Sequence, residues 1–118
     1  IYCFNGKPEL VLVCFERDID VQFEWYDLQW NVLEIGAKKN LGKAKCPSSL
    51  DQMIEYAENL CIPFPYVRVD FYERNRQPVL GELTFTPYYG MADYYSKEGC
   101  EWLGQKLQLP EKYPKHFK

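Results

Sequence analysis

The sequence predicts an α+β domain in which an antiparallel β-sheet carries helices packed on one face. Three observations predict it. An Asn5-Gly6 pair separates two apolar runs, a period-two alternation occurs twice between Tyr66 and Phe85, and residues 48–61 repeat their apolar side chains at helical spacing. Asn-Gly supplies the positive φ angles that a tight hairpin turn requires. Alternation marks half-buried strands, and recurrence at i, i+3 and i+4 marks an amphipathic helix.

Taken in order, residues 1–4 and 9–15 read as the strands of a first hairpin. "VQFEWYD" at 21–27 and "NVLEI" at 31–35 are two further strands, and the polar stretch 36–45, with two glycines, reads as a loop. "PSSLDQMIEYAENLC" follows as the clearest helix. Ser48 or Ser49 is placed to cap it, Asp51 and Gln52 fall in the first turn, and Leu50, Met53, Ile54, Ala57, Leu60 and Cys61 form one apolar stripe. Ile62-Pro63-Phe64-Pro65 ends it and leads into a second hairpin, with residues 74–78 as the expected loop. The aromatic loop "TPYYGMADYYS" comes next. "KEGCEWLGQKLQL" then reads as a short helix or an irregular amphipathic segment that turns Trp102, Leu103 and Leu107 inward.

The 118 residues are one domain's worth of chain, and 47% hydrophobic content with ten tyrosines, seven phenylalanines and three tryptophans is enough for a packed core. A net charge of -3 with no basic stripe excludes a general nucleic-acid binder. Lys112, Lys115, His116 and Lys118 read as a solvated tail. Five cysteines without a Cys-x-x-Cys pair suit reduced thiols in a cytoplasmic protein. No apolar run is long enough to span a bilayer, and there is no signal-peptide pattern. The opening "IYCFNGKP" starts inside a strand-like pattern, so the chain reads as part of a longer one.

The second hairpin carries the chemistry. Side chains two apart on a strand share a face, so Tyr66, Arg68, Asp70 and Tyr72 lie together, as do Leu80, Glu82 and Thr84 on the next strand. The simplest register sets Tyr72 against Leu80, Asp70 against Glu82 and Arg68 against Thr84. Like charges directly opposed in an antiparallel pair are destabilising, so the two carboxylates need a compensating cation or a raised pKa. One solution is a hard divalent ion held with phosphate oxygens, with Arg68 on a phosphate. The other is a plain salt-bridge network in which Arg68 bridges Asp70 and Glu82. The alternation accommodates both.

"FPYVRVDFYERNRQPVLGELTFTPYYG" resembles the metal-binding hairpin of ATP-grasp enzymes, Arg-x-Asp on one strand and Glu-x-Asn on the next. The chain as a whole resembles the C-terminal part of the TupA-like ATP-grasp family: an "FNGKP" hairpin at Phe4 to Pro8, a "YDxxW" element at Tyr26 to Trp30, a helix at 48–61, and "GELTF" with a following glycine. The resemblance implies ATP and Mg²⁺ as cofactors, with Asp70 and Glu82 as metal ligands and Arg68 as the phosphate contact. Thr84, implied among the cofactor-binding residues, stands where the wider superfamily has Asn, and its hydroxyl either ligates magnesium or makes a weaker or water-mediated contact. It further implies an N-terminal lobe in the same polypeptide, an acceptor of unspecified chemistry, and ligation in cell-envelope polysaccharide or peptide-polymer biosynthesis. Proteins from such loci are often labelled glycosyltransferases.

The rival readings are a non-catalytic module that keeps the fold, and a glycosyltransferase using "DID" at Asp18 to Asp20. Arg17 and Asp18 read as a turn with a local ion pair. Lys38, Lys39, Lys43 and Lys45 read as solvated. Tyr26, Asp27 and Trp30 shape either an acceptor site or the core. Tyr88, Tyr89, Tyr94 and Tyr95 either stack on a ligand or pack at the sheet.

Overall fold

The computed structural model describes residues 1–15 and 20–111. Arg17 and Asp18, expected to form a local ion pair, the first two residues of the "DID" pattern and the basic tail, expected to be solvated, lie outside the described residues. The strands are β1 (Tyr2–Phe4), β2 (Lys7–Phe15), β3 (Gln22–Asp27), β4 (Val32–Leu33), β5 (Tyr66–Arg74) and β6 (Gln77–Thr84). The helices are α1 (Leu50–Leu60) and α2 (Lys97–Lys106). The strands form one antiparallel sheet in the order β4-β3-β2-β1-β5-β6. An α+β architecture with an antiparallel sheet is what the alternation predicted.

Asn5 and Gly6 take φ values of 52° and 78°, and Phe4 pairs with Lys7 across them. That two-residue turn has the twist that a right-handed hairpin favours. The second hairpin also closes on two residues, Asn75 and Arg76, both at positive φ. The expected five-residue loop at 74–78 is therefore strand at both ends.

The register nevertheless reaches the expected pairs at the end of the hairpin away from the turn. From the turn, Arg74 pairs with Gln77, Tyr72 with Val79 and Phe71 with Leu80. A bulge then follows, and Asp70 pairs with Glu82 and Arg68 with Thr84. The bulge residue is Gly81. A Cβ there would meet the Tyr72 ring at 2.8 Å and the Asp70 carbonyl at 3.2 Å, so this close approach suits glycine. The expected Tyr72–Leu80 pair is replaced by Tyr72–Val79, because the extra residue flips the alternation on the turn side of the bulge.

Along β2, Val11 and Val13 face one way, and Leu10 and Leu12 the other, which gives the sheet two apolar faces. On the first, Leu50, Met53 and Ala57 of α1 are buried against Val11, Val67 and Val69, with Ile54, Leu60, Phe71 and Leu83 at the margin. Fully buried Ala57 lets the helix backbone sit close to the strands. On the second, Leu103 and Leu107 pack with Tyr2, Phe4, Leu10, Trp25 and Ile35. The two helices thus divide between the two faces, where the sequence placed both on one. Aromatic residues at alternate positions of β1 and β3 make the second face apolar enough to need its own cover. Trp102 stays half exposed, with the Lys106 ammonium 4.2 Å from its ring centroid. Phe85 is likewise exposed and meets Phe64 edge-on.

β4 is shorter than the expected 31–35. The Ile35 carbonyl accepts from Ser96 N–H at 3.0 Å and Ala37 N–H donates to Tyr94, so this backbone serves the start of α2 rather than β3. At the other end of α2, Asn5 Nδ2 donates to the Lys106 carbonyl at 2.9 Å, and Asn5 Oδ1 accepts from Gln108 N–H at 3.3 Å. The hairpin turn thereby anchors the helix end.

Neither serine caps α1 through its own side chain. Glu73, near the end of β5, reaches across instead. Its Oε2 accepts from Ser49 N–H at 2.8 Å and from the Ser49 and Ser48 hydroxyls at 2.6 and 3.3 Å. An anion at a helix N-terminus satisfies free N–H groups and complements the helix dipole.

Candidate functional site

Asp70 and Glu82 are directly opposed on adjacent antiparallel strands, with Arg68 and Thr84 opposed one pleat further along the same face. Arg68 Nε donates to Asp70 Oδ1 at 2.7 Å and Nη2 to Oδ2 at 2.9 Å, the parallel geometry that makes guanidinium–carboxylate pairs strong. Nη2 also reaches Thr84 Oγ1 at 3.4 Å and lies 3.8 Å from Glu82 Oε1. Thr84 donates in turn to Glu82 Oε1 at 3.1 Å. Burial alone would weaken the charge on Arg68, but the hydrogen bonds and the negative charge of Asp70 outweigh it and push the guanidinium pKa up.

The side chains differ in exposure: 17% for Arg68, 28% for Asp70 and 66% for Glu82. Each Asp70 oxygen spends one lone pair on Arg68, and Glu82 accepts from Thr84 through one oxygen. Both carboxylates therefore keep acceptor sites for a further partner. Among the described residues no group of three or more His, Cys, Asp or Glu side chains is placed to share an ion. Two carboxylates, completed by phosphate oxygens and water, form the donor set that suits Mg²⁺, which rarely sits in an all-protein cage.

Aromatic residues wall this face. Tyr2 pairs with Arg68 across the β1–β5 ladder, and its hydroxyl hydrogen-bonds that of Tyr95. Tyr94 stacks on Phe23 with centroids 4.9 Å apart. Burial pushes the phenol pKa values of Tyr66, Tyr94 and Tyr95 up, with Tyr2 adding to each. The aromatic loop is thus split: Tyr94 and Tyr95 join the core, while Tyr88 and Tyr89 are exposed. Two identical Tyr-Tyr pairs carry no signal in sequence that separates these fates. Tyr2 was missed as a neighbour of Arg68, because only the β1–β5 pairing brings it there.

"YDxxW" is architectural. Tyr26 stacks flat on Trp30, centroids 4.2 Å apart, and is 1% exposed. Asp27 Oδ1 accepts from the backbone N–H of Gln29 and of Asn31, and Oδ2 accepts from Asn31 Nδ2. Burial works against its charge, yet these bonds, led by those from Asn31, hold its pKa below the ordinary value. The loop after β4 is pinned by two buried polar residues absent from the sequence reading. Glu24 accepts from the Tyr26 hydroxyl at 2.8 Å and from Lys43 N–H at 2.9 Å, and Asn40 Nδ2 donates to the Trp25 carbonyl at 2.7 Å. Burial, and then the Glu24 hydrogen bond, push Tyr26 up to about 12. Lys38, Lys39, Lys43 and Lys45 are exposed, as expected. The first three border a cavity of about 380 Å³ with Phe23 and Trp25, away from the carboxylate pair. Cys3 and Cys61 are buried, and burial pushes the Cys3 thiol up to about 12.

The Arg-x-Asp strand thus faces a Glu-x-Thr strand within one antiparallel sheet. The family model described as TupA-like ATPgrasp matches residues 1–108, and the chain belongs to that family. Neither the curated proteins nor the solved structures contain a match to it. No helix among the described residues is long and apolar enough to cross a membrane.

Proposed function

We propose that this chain is the C-terminal, Mg-ATP-binding lobe of an ATP-grasp ligase acting in the cytoplasm, in the synthesis of a cell-envelope polysaccharide or peptide polymer. The observation that carries the reading is the opposition of Asp70 and Glu82 beside Arg68 and Thr84, within the span of the family match. Asp70 and Glu82 would hold the metal, which neutralises phosphate charge when bound. Arg68, fixed by Asp70 and only 17% exposed, offers its remaining N–H groups to a phosphate oxygen. A preorganised guanidinium of this kind stabilises charge that develops as a phosphoryl group moves to a carboxylate acceptor. Thr84 steers Glu82 through its hydroxyl. The partner is an N-terminal lobe of the same polypeptide, and the 118-residue chain alone is expected to be inert.

One observation favours a second reading. Arg68, Asp70, Thr84 and Glu82 already form a connected network without any ion, as a non-catalytic module would need. Mg²⁺-dependent ATP turnover by the full-length protein and its Glu82→Gln variant separates the two. The ligase reading expects turnover to be lost while the fold is kept, because the amide preserves shape and removes charge. Normal turnover in the variant, or none in the parent with any carboxylate and amine pair tried, leaves the module as the better account.

A further inference from the structure

A cavity of about 640 Å³ is lined from both faces of the sheet. It runs through the sheet. Val13 and Met53 of the α1 side line it, and so do Leu12, Phe23 and Asp70 of the opposite side. It opens where β1 stops. β2 and β5 both pair with β1 at Tyr2–Phe4, so they lie two strand spacings apart, about 9–10 Å. Beyond that point, among the described residues, the only strand paired with residues 11–15 of β2 is β3, and the only one paired with residues 70–74 of β5 is β6. Two strand edges therefore face each other across a gap one strand wide.

We propose that this slot is filled by an extended segment of the same polypeptide that runs into Ile1 and continues β1 as the central strand of the sheet. Both ladders fix the same register. Val69 N–H donates to the Ile1 carbonyl at 2.8 Å and the Ile1 nitrogen donates to the Val69 carbonyl at 2.7 Å, so Ile1 lies opposite Val69. Tyr2 lies opposite Leu10 on the other side, which sets Ile1 against Val11. Ile1, Val11 and Val69 belong to the same buried cluster, as that register requires. The first residue before Ile1 then falls between Leu12 and Asp70, the second between Val13 and Phe71, the third between Cys14 and Tyr72, and the fourth between Phe15 and Glu73. Every second N–H and C=O of β5 on this edge points into the slot, so Phe71 and Glu73 receive the ladder bonds that Val69 already makes. The second residue before Ile1 faces α1 and is apolar. The first lies on the face of Asp70 and closes the sheet beside it. This occupant is independent of the ligase chemistry, since a catalytically silent module needs the same strand.

The native Cys14 supplies the test. In the full-length chain, a cysteine placed at the third position before Ile1 lies directly opposite Cys14, with Cα atoms about 4.5–5.5 Å apart, inside the range a disulfide spans. Mild oxidation is expected to join these two cysteines within one molecule, as read by peptide mass mapping, and C14S is expected to abolish that product. Hydrogen exchange in the full-length chain is expected to be slow at the Phe71 and Glu73 amides. Fast exchange at both amides overturns the proposal, because the slot is then open. A cross-link between two molecules also overturns it, by making a second copy the occupant. Slow exchange with no bond to Cys14 places another register or another segment in the slot, and overturns continuity with β1.

Discussion

Arg68 grips Asp70 through two parallel hydrogen bonds of 2.7 and 2.9 Å, while Glu82, directly across the ladder, is 66% exposed and approaches the same guanidinium only to 3.8 Å. The two carboxylates are neighbours in space and unequal in attachment. Asp70 is tied into the structure, whereas Glu82 is held by one hydroxyl.

That inequality predicts different costs of neutralisation. Asp70→Asn removes the anion from a pair of charge-assisted bonds and is expected to lower stability by about 1–3 kcal/mol. Glu82→Gln relieves like-charge opposition at an exposed site and is expected to stay within about 0.5 kcal/mol of the parent, or to rise slightly. Urea denaturation of both variants in metal-free buffer decides it. Equal losses would make Glu82 a structural partner of Arg68.

Met53 is 6% exposed and sits between α1 and the buried valines of β2 and β5. Met53→Ala is expected to cost about 2–5 kcal/mol, as truncations in well-packed cores do. A denaturation midpoint that does not move would mean that α1 packs loosely or elsewhere.

The start of α2 presses on the chain after β4. A Cβ at Gly99 would lie 2.2 Å from the Ile35 carbonyl oxygen, a backbone atom that already accepts from Ser96 N–H. Gly99→Ala is therefore expected to displace α2 despite the better helix propensity of alanine. The readouts are faster exchange at the Ser96 amide and a stability loss of about 1–3 kcal/mol. A gain in stability would show that α2 is not docked there.

Alkaline pH is expected to weaken the fold. Tyr26 is pushed up to about 12, and Tyr66, Tyr94 and Tyr95 are also raised. Tyrosine in an unfolded chain ionises near 10. Above that pH the unfolded state sheds protons that the folded state keeps, so stability is whole below about pH 10 and falls as pH rises towards 12. Denaturant midpoints at pH 8, 10 and 11 give the slope, and Tyr95→Phe is expected to flatten it. A midpoint unchanged to pH 11 would contradict the buried phenol cluster.

The sequence by itself determined the elements whose signals are local. Asn5-Gly6 dictates its turn, the stripe from Leu50 to Cys61 dictates α1, and the alternation in β5 and β6 sets Arg68, Asp70, Glu82 and Thr84 on one face. Sheet order, the crossing of α2 to the second face, and the capping of α1 by Glu73 were decided only by tertiary structure. Each depends on residues distant in the chain, and no periodicity encodes a partner. The Asp70–Glu82 pairing lies on the boundary between the two. A two-residue turn at Asn75-Arg76 and an extra residue at Gly81 offset each other, so the expected register holds on the far side of the bulge and fails at Tyr72. Backbone strain at Asn75 and Arg76 and the approach of Gly81 to the Tyr72 ring exist only once the strands have paired.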